Sequence, residues 1–245
     1  MDNYLYREEV LDHGFVELVD IMPYEIPYGA ESRDIVIVNA ARTSYLGESK
    51  GTELDKRLLR YLYKNKHFTP FEMVELKFRV KAPVLVWWQW TRHRTWNYNL
   101  QSGRYTEYPD EFYIPDGWRL QDSVNKQGST EETTDTLMLY DPPYHQGYEI
   151  SITKFYKNMV ESCYELYQDL VDRGVAKEQA RLFLPGFAMY HTGIAKTDAR
   201  NLLGFISLRT DEHAQWEIRQ YAKAIEKIFA EVLPWTYEVY KEING

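Results

Sequence analysis

The sequence predicts an α+β fold, mixed and helix-rich, with a mainly antiparallel sheet. Three observations carry this. Apolar residues recur at helical spacing through most of the second half of the chain. Segments in the first half alternate apolar and charged residues, as half-buried strands do. Strands and helices do not alternate in the Rossmann manner, and there is no GxGxxG or Walker loop, which argues against a wound parallel sheet. With 245 residues, 27% charged and 44% hydrophobic, the chain suits one globular domain over 1–245.

The elements follow in order. "FVELVDIM" reads as an early strand. "SRDIVIVNAARTS" has the composition of a strand, yet Asp34 is a good N-cap and Ala40, Ala41 and Arg42 favour a helix. "TELDKRLLRYLYKNK" is helical, with Leu54, Leu58, Leu59 and Leu62 on one face. "VELKFRVK", residues 74–81, alternates Val74, Leu76, Phe78 and Val80 with charge and reads as a strand. Pro83 then opens a helix through "VLVWWQWTRHR". Residues 120–147 are polar and broken by proline, which predicts a long loop. A long helix is expected from about Tyr148 to Asp172, stopped by Gly174. A short helix covers "AKEQARLFL" and ends at Pro185; "GFAMYHTGIAKT" suits an extended strand. "DARNLLGFISLR" and "DEHAQWEIRQYAKAIEKIFAEVL" are helical, the latter with Ala214, Ile218, Tyr221, Ile225 and Ile228 on one face.

No apolar run approaches the roughly 18 residues of a spanning helix. The acidic, polar N-terminus does not read as a signal peptide. Cys163, the single cysteine, fits a reducing compartment, so a cytoplasmic protein is expected. No HxxxH, HxH or Cys/His pair is present, so no metal site is expected. At helical spacing Cys163 suits packing better than nucleophilic chemistry. His213 reads as a helix-start residue without a chemical role.

The charge distribution carries the functional signal. The net charge is −8, yet from Leu76 to Thr106 there is no Asp or Glu, and Arg92, His93, Arg94 and Arg104 fall among aromatics and amides. A solvated cluster at a helix end is the plain alternative. Against it, Ser102-Gly103 offers backbone N–H groups to an anion, and Thr95, Asn97, Asn99, Gln101 and Ser102 form a strip able to bond a nucleobase edge. Arginine forks match phosphate oxygens. Arg181, Arg200 and Arg209 lie farther along on largely apolar segments, where a salt bridge to an acidic helix is the ordinary expectation. A single-stranded nucleic-acid binder would use the aromatics as stacking platforms, but it needs an extended basic face that this acidic chain lacks.

Arg92-His93-Arg94, seven residues, then Ser102 resembles the signature of the flavin-dependent thymidylate synthases. "NAARTS", "HFTPFE", "KAP…QW", "EQARLFLP" and "LRTDEHAQWEI" resemble family blocks in the family's order. The resemblance implies a homotetramer with shared active sites and small-molecule nucleotide and folate partners, while the net charge and the lack of a long apolar run predict neither a nucleic-acid nor a membrane partner. It implies reductive C5-methylation of deoxyuridylate with FAD as cofactor and methylenetetrahydrofolate and NADPH as co-substrates. It implies flavin-side roles for Ser44, His67, Thr69, Glu72, Arg92, His93, Arg94 and Arg200. Nucleotide-side roles fall to Gln89, Ser102, Gly103, Arg104, Arg181 and Arg209, with Arg104 and Arg181 at the phosphate, Arg209 on the uracil edge, and Ser102, His93 and Arg209 closest to the chemistry. The chain departs from the family at Asn97, often Ser; at Leu100, often Glu or Gln; and at Asp198 and Gly204, where some members carry Asn. Gln101 stands beside Leu100 as a substitute polar group. These departures leave uridylate or another pyrimidine nucleotide as the alternative substrate.

Overall fold

A computed structural model describes residues 4–126, 128–141 and 146–245. Its centre is a five-stranded antiparallel sheet in the order β1-β2-β3-β9-β4. The strands are β1 (Tyr6–Val10), β2 (Gly14–Met22), β3 (Glu75–Pro83), β4 (Asn97–Leu100) and β9 (Tyr190–Asp198). β3 shows the period-two logic: Leu76, Phe78, Val80 and Ala82 are buried, while Lys77 and Arg79 point the other way. There they meet acids of β2, Asp20 at 2.8 Å from Lys77 and Glu17 on Arg79. Part of the acid-free stretch is therefore neutralised across the sheet.

Helices α1 (Ile35–Arg42), α2 (Thr52–Lys64), α6 (Ala199–Arg209), α7 (Trp216–Val232) and α8 (Pro234–Asn244) supply much of the main core around the sheet. α3 (Val84–Trp90) joins β3 to the turn before β4. A second cluster, including Tyr108, Phe112, Tyr167 and Met189, packs beneath α4 (Ile152–Asp172) and α5 (Lys177–Ala180). The α+β, mainly antiparallel expectation holds.

Several boundaries differ from expectation. Residues 120–147 are not one loop: β5 (Trp118–Gln121) pairs with β6 (Ser129–Thr134), and β7 (Thr136–Asp141) with β8 (Gln146–Ser151). These strands are mostly solvated, so they lack the alternation that reveals a strand in sequence. Residues 127 and 142–145 of that expected loop lie outside the described residues. The long helix begins at Ile152, because residues 148–151 belong to β8 and Ser151 caps the helix by accepting from Lys154 N at 3.0 Å. Gly174, at φ +83°, ends it as expected.

Asp34 precedes a helix, but its carboxylate does not cap that helix. It is fully buried and accepts from the backbone N–H of Trp235 at 3.2 Å and of Thr236 at 2.8 Å, so it caps α8, 201 and 202 positions further along the chain. α7 starts at Trp216, leaving His213 and Ala214 in the preceding turn; there His213 Nδ1 lies 2.9 Å from Asp211 Oδ1. Leu54 is exposed on α2, and Cys163 is half-buried on α4. No described helix is long and apolar enough to cross a membrane, and no group of three potential metal ligands occurs among the described residues.

Candidate active site

The expected helix through Arg94 stops at Trp90. Trp96 is buried in the core, stacked on the Phe78 ring, so the chain must turn between them. His93 N donates to Trp90 O at 2.9 Å, and Tyr98 Oη donates to the carbonyls of Trp90 and His93, both at 2.9 Å. Arg92, His93 and Arg94 thus occupy a pinned turn, with His93 directed inward and the two arginines exposed.

His93 packs edge-on against Phe205 of α6, with ring centroids 4.9 Å apart. One helical turn further, on the same face, Arg209 Nε donates to His93 Nε2 at 3.0 Å. Its Nη1 donates to Gln89 Oε1 at 3.2 Å and its Nη2 to the Gln89 carbonyl at 3.0 Å. Arg209 therefore does not follow the salt-bridge expectation; it is held by neutral groups. Burial, and then the Arg209 charge, bring the His93 imidazole down to about 4. His93 is neutral at pH 7, and accepting at Nε2 requires its proton on Nδ1. Arg209 has five N–H donors and uses three, which leaves two for a ligand.

Ser102, Gly103 and Arg104 form a turn after β4, anchored where Gln101 N donates to Thr192 O of β9 at 2.9 Å. Ser102 Oγ accepts from Arg104 N at 3.4 Å. Arg104 Nε lies 2.9 Å from Glu178 of α5, with both side chains largely exposed. This ion pair brings the turn to the segment bearing Arg181, which occupies a 3-10 turn (Arg181–Phe183) directly after α5. Among the described residues, Arg92, Arg94, Arg181 and Arg209 have no carboxylate within 4.0 Å, whereas Arg7, Arg42, Arg60, Arg79 and Arg219 do. Of the cations singled out in the sequence, Arg92 and Arg94 are without an acid in the fold and Arg104 is not, while Arg181 and Arg209 lack the salt bridge expected of them.

The remaining expected residues gather elsewhere. Ser44, on a 3-10 turn (Thr43–Tyr45), faces His67 and Thr69 across a cleft of about 440 Å³ floored by Ala40 and Ala41. Neither the Ser44 nor the Thr69 hydroxyl has a hydrogen-bond partner among the described residues, so both remain available to a ligand. Donors on the rim, a small-residue floor and this volume fit part of a planar ligand that carries polar groups. Glu72, on the turn Thr69–Met73, pairs with Arg200, which does follow the salt-bridge expectation; the guanidinium sits 5.9 Å from the Phe68 ring centroid. Arg200 and Arg209 lie at opposite ends of α6, separated by about 14 Å of helix rise.

The departing positions are also placed. Asp198 caps α6, accepting from the backbone N–H and side-chain amide of Asn201 at 2.9 and 2.6 Å. Leu100 packs on Gly193, where an added Cβ would lie 2.4 Å from Leu100 Cδ2. Gly204 faces open space, and the Gln101 amide reaches Thr106 Oγ1 at 3.4 Å. Sequence reasoning did not find Tyr108 and His191, which lie behind the Ser102 turn; neither belongs to any of the matched blocks.

A cation turn, a neutral imidazole and a donor-lined cleft on one antiparallel scaffold suit an anionic, ring-bearing ligand. The family described as "Thymidylate synthase complementing protein" matches residues 28–235. The flavin-dependent thymidylate synthase of Thermosipho melanesiensis is 41% identical, covering 96% of this chain and 94% of that protein. That of Thermus thermophilus is 40% identical over 95% of this chain and 77% of its own. Among solved structures, the UMP/dUMP methylase PolB of Streptomyces cacaoi bound with 5-Br dUMP superposes with a TM-score of 0.77 at 30% identity, covering 97% of this chain and 98% of that one. The same methylase bound with 5-Br UMP gives 0.76 at 31% identity, covering 96% and 97%. This chain belongs to the flavin-dependent thymidylate synthase family.

Proposed function

We propose that this protein converts deoxyuridylate to thymidylate by reductive C5-methylation, with FAD as its flavin, methylenetetrahydrofolate as carbon donor and NADPH as reductant. The observation that carries the reading is Arg209, fixed by His93 and Gln89 with two N–H donors free. When bound, FAD supplies hydride chemistry that amino-acid side chains lack. The chain's own task is to bind and orient. Charge that develops on the pyrimidine ring during reduction meets donors already aimed, which cost no reorganisation at the moment of reaction. Arg104 and Arg181 take the phosphate, with Arg104 exchanging its Glu178 partner for phosphate oxygens.

Ser102 acts as a non-covalent donor to the ring. A nucleophilic serine needs a base, and the His93 Nε2 lone pair is already occupied by Arg209. Ser102→Ala is therefore expected to keep measurable turnover; a kinetically competent adduct on Ser102, found by peptide mapping of quenched reactions, would overturn this role. Ser44, His67, Thr69, Glu72, Arg92, Arg94 and Arg200 serve the flavin side. Tyr45, Leu46, Trp88, Leu182, Phe183 and Phe187 are exposed large apolar residues near these segments, which supports a homotetramer whose subunits close one another's sites.

A second reading, uridylate as substrate, is favoured by one observation: the solved relative is a UMP/dUMP methylase, with a bound analogue of each nucleotide. Turnover with deoxyuridylate against uridylate, each with methylenetetrahydrofolate and NADPH and with products resolved by mass, decides between them. Thymidylate as the main product is expected. Methylated uridylate alone would move the assignment to the second reading, and no methylated nucleotide from either would overturn both.

A further inference from the structure

Behind the Ser102–Arg104 turn lies a hydrogen-bonded pair that none of the roles above uses. Gly103 is buried, and a Cβ there would stand 2.2 Å from Cε2 and 2.4 Å from Oη of Tyr108. The phenol end of Tyr108 therefore presses directly on the Gly103 backbone, and only glycine admits this approach. Tyr108 is almost fully buried and fixed at both backbone groups: its N–H donates to Tyr167 Oη at 3.2 Å, and its carbonyl accepts from Tyr164 Oη at 3.1 Å. Its own hydroxyl lies 2.8 Å from His191 Nε2.

His191 sits in β9 beside Thr192, whose carbonyl anchors Gln101 at the entrance to the same turn. The His191 carbonyl accepts from Trp87 Nε1 at 3.0 Å, which ties the strand to the helix bearing Gln89. Burial, and then the nearby Arg181 charge, lower the pKa of His191, so the imidazole is neutral and can share a hydrogen bond with a phenol. Tyr108 thus touches the Arg104 turn through Gly103 and holds His191, whose imidazole lies within electrostatic reach of Arg181.

We propose that Tyr108 and His191 form a positioning pair that sets the Ser102–Gly103–Arg104 turn relative to Arg181, and with it the grip on the nucleotide phosphate. The inference rests on the proposed function. Neither residue touches substrate in this scheme. Both act through the turn, so their removal changes phosphate affinity and leaves ring chemistry alone. The oxygen of Tyr108, rather than its ring, is the specific element, because the ring fills space that phenylalanine would fill equally well.

The test compares wild type with Tyr108→Phe, His191→Ala and His191→Gln, with binding measured by titration calorimetry using deoxyuridylate and, separately, deoxyuridine, which lacks the phosphate. One hydrogen bond predicts a rise of about three- to tenfold in the dissociation constant for deoxyuridylate in Tyr108→Phe and His191→Ala. Deoxyuridine affinity, bound-flavin absorbance and kcat should stay within about twofold, inside the weakest single-bond effect. His191→Gln, whose amide can still meet the phenol, should recover part of the loss. Thermal unfolding of each variant shows that the comparison is made on folded protein, and Tyr108→Phe keeps the packing if His191→Ala does not fold. Unchanged deoxyuridylate affinity in Tyr108→Phe, or an equal loss for nucleotide and nucleoside, overturns the inference while leaving the functional reading intact. Failure of wild type to bind deoxyuridylate overturns both.

Discussion

Gln89, His93 and Arg209 are joined within one chain by three hydrogen bonds of 3.0 to 3.2 Å. Ser44, His67 and Thr69 line an open cleft, and beside Ser44 the residues Tyr45 and Leu46 are 88% and 97% exposed. The first region is organised before any ligand arrives. The second has its donors in place but lacks a wall. Under the proposed function the contrast gives the two halves different needs: the pyrimidine edge is built by the chain's own packing, and the flavin side is proposed to be completed by assembly.

The strongest way to break this contrast is Arg209→Ala. Removing a fixed donor from developing charge should lower kcat/KM for deoxyuridylate by about 10²–10³, with flavin content retained in the visible spectrum. Arg209→Lys should not restore it, because an ammonium cannot reproduce three bonds in a planar fork. Unchanged steady-state kinetics in the alanine variant would remove the pyrimidine-edge assignment.

A smaller effect is expected at the phosphate. Arg104→Ala should weaken deoxyuridylate binding by roughly tenfold, since a charge-assisted bond is worth about 1.5–3 kcal/mol, while flavin affinity changes much less. Equal losses of nucleotide and flavin affinity in a binding titration would show that the two halves are not separable.

The pinned, neutral state of His93 gives a pH signature. In the unfolded chain it titrates near 6.5 and in the folded protein near 4, so between these values unfolding takes up a proton. The stability lost to this group is zero above about 6.5 and grows as pH falls toward 4. Melting temperatures recorded from pH 7 down to 4 should fall less steeply for His93→Gln than for wild type. Parallel curves would mean that the imidazole is not held neutral. The smallest effect belongs to Cys163→Ala, which should keep most turnover and lose little stability, because the half-buried thiol serves only packing on α4. An inactive but folded variant would reopen a cysteine-nucleophile mechanism.

Much of this was legible in the sequence for identifiable reasons. Alternation exposed β3 and helical spacing exposed α2 and α7, because each buries one face. Arg92, His93, Arg94 and Arg104 drew attention as cations without acids, and Arg92 and Arg94 remain without carboxylate partners in the fold. The hairpins β5–β6 and β7–β8 were hidden, since strands solvated on both faces carry no period-two signal. Asp34 showed a helix start, but its own carboxylate serves the distant α8. The Arg209–His93 bond joins residues separated by 116 positions, and Tyr108–His191 joins residues separated by 83. Local spacing cannot encode such meetings; the antiparallel register of β9 with β3 and β4 creates the frame in which they occur.

The division of labour between the two regions is tested most directly by subunit complementation. An Arg209→Ala variant, damaged on the nucleotide side, is mixed with a Ser44→Ala/Thr69→Val variant, damaged on the flavin side, under conditions that exchange subunits, with mixed oligomers verified by native mass spectrometry. If one subunit's cleft is closed by another's nucleotide-side cluster, some sites in the mixed oligomers carry both intact halves, and thymidylate formation rises clearly above that of either parent. If mixed oligomers form and activity stays at the parental level, both halves serve one chain's site, and the claim that assembly completes the flavin side is contradicted.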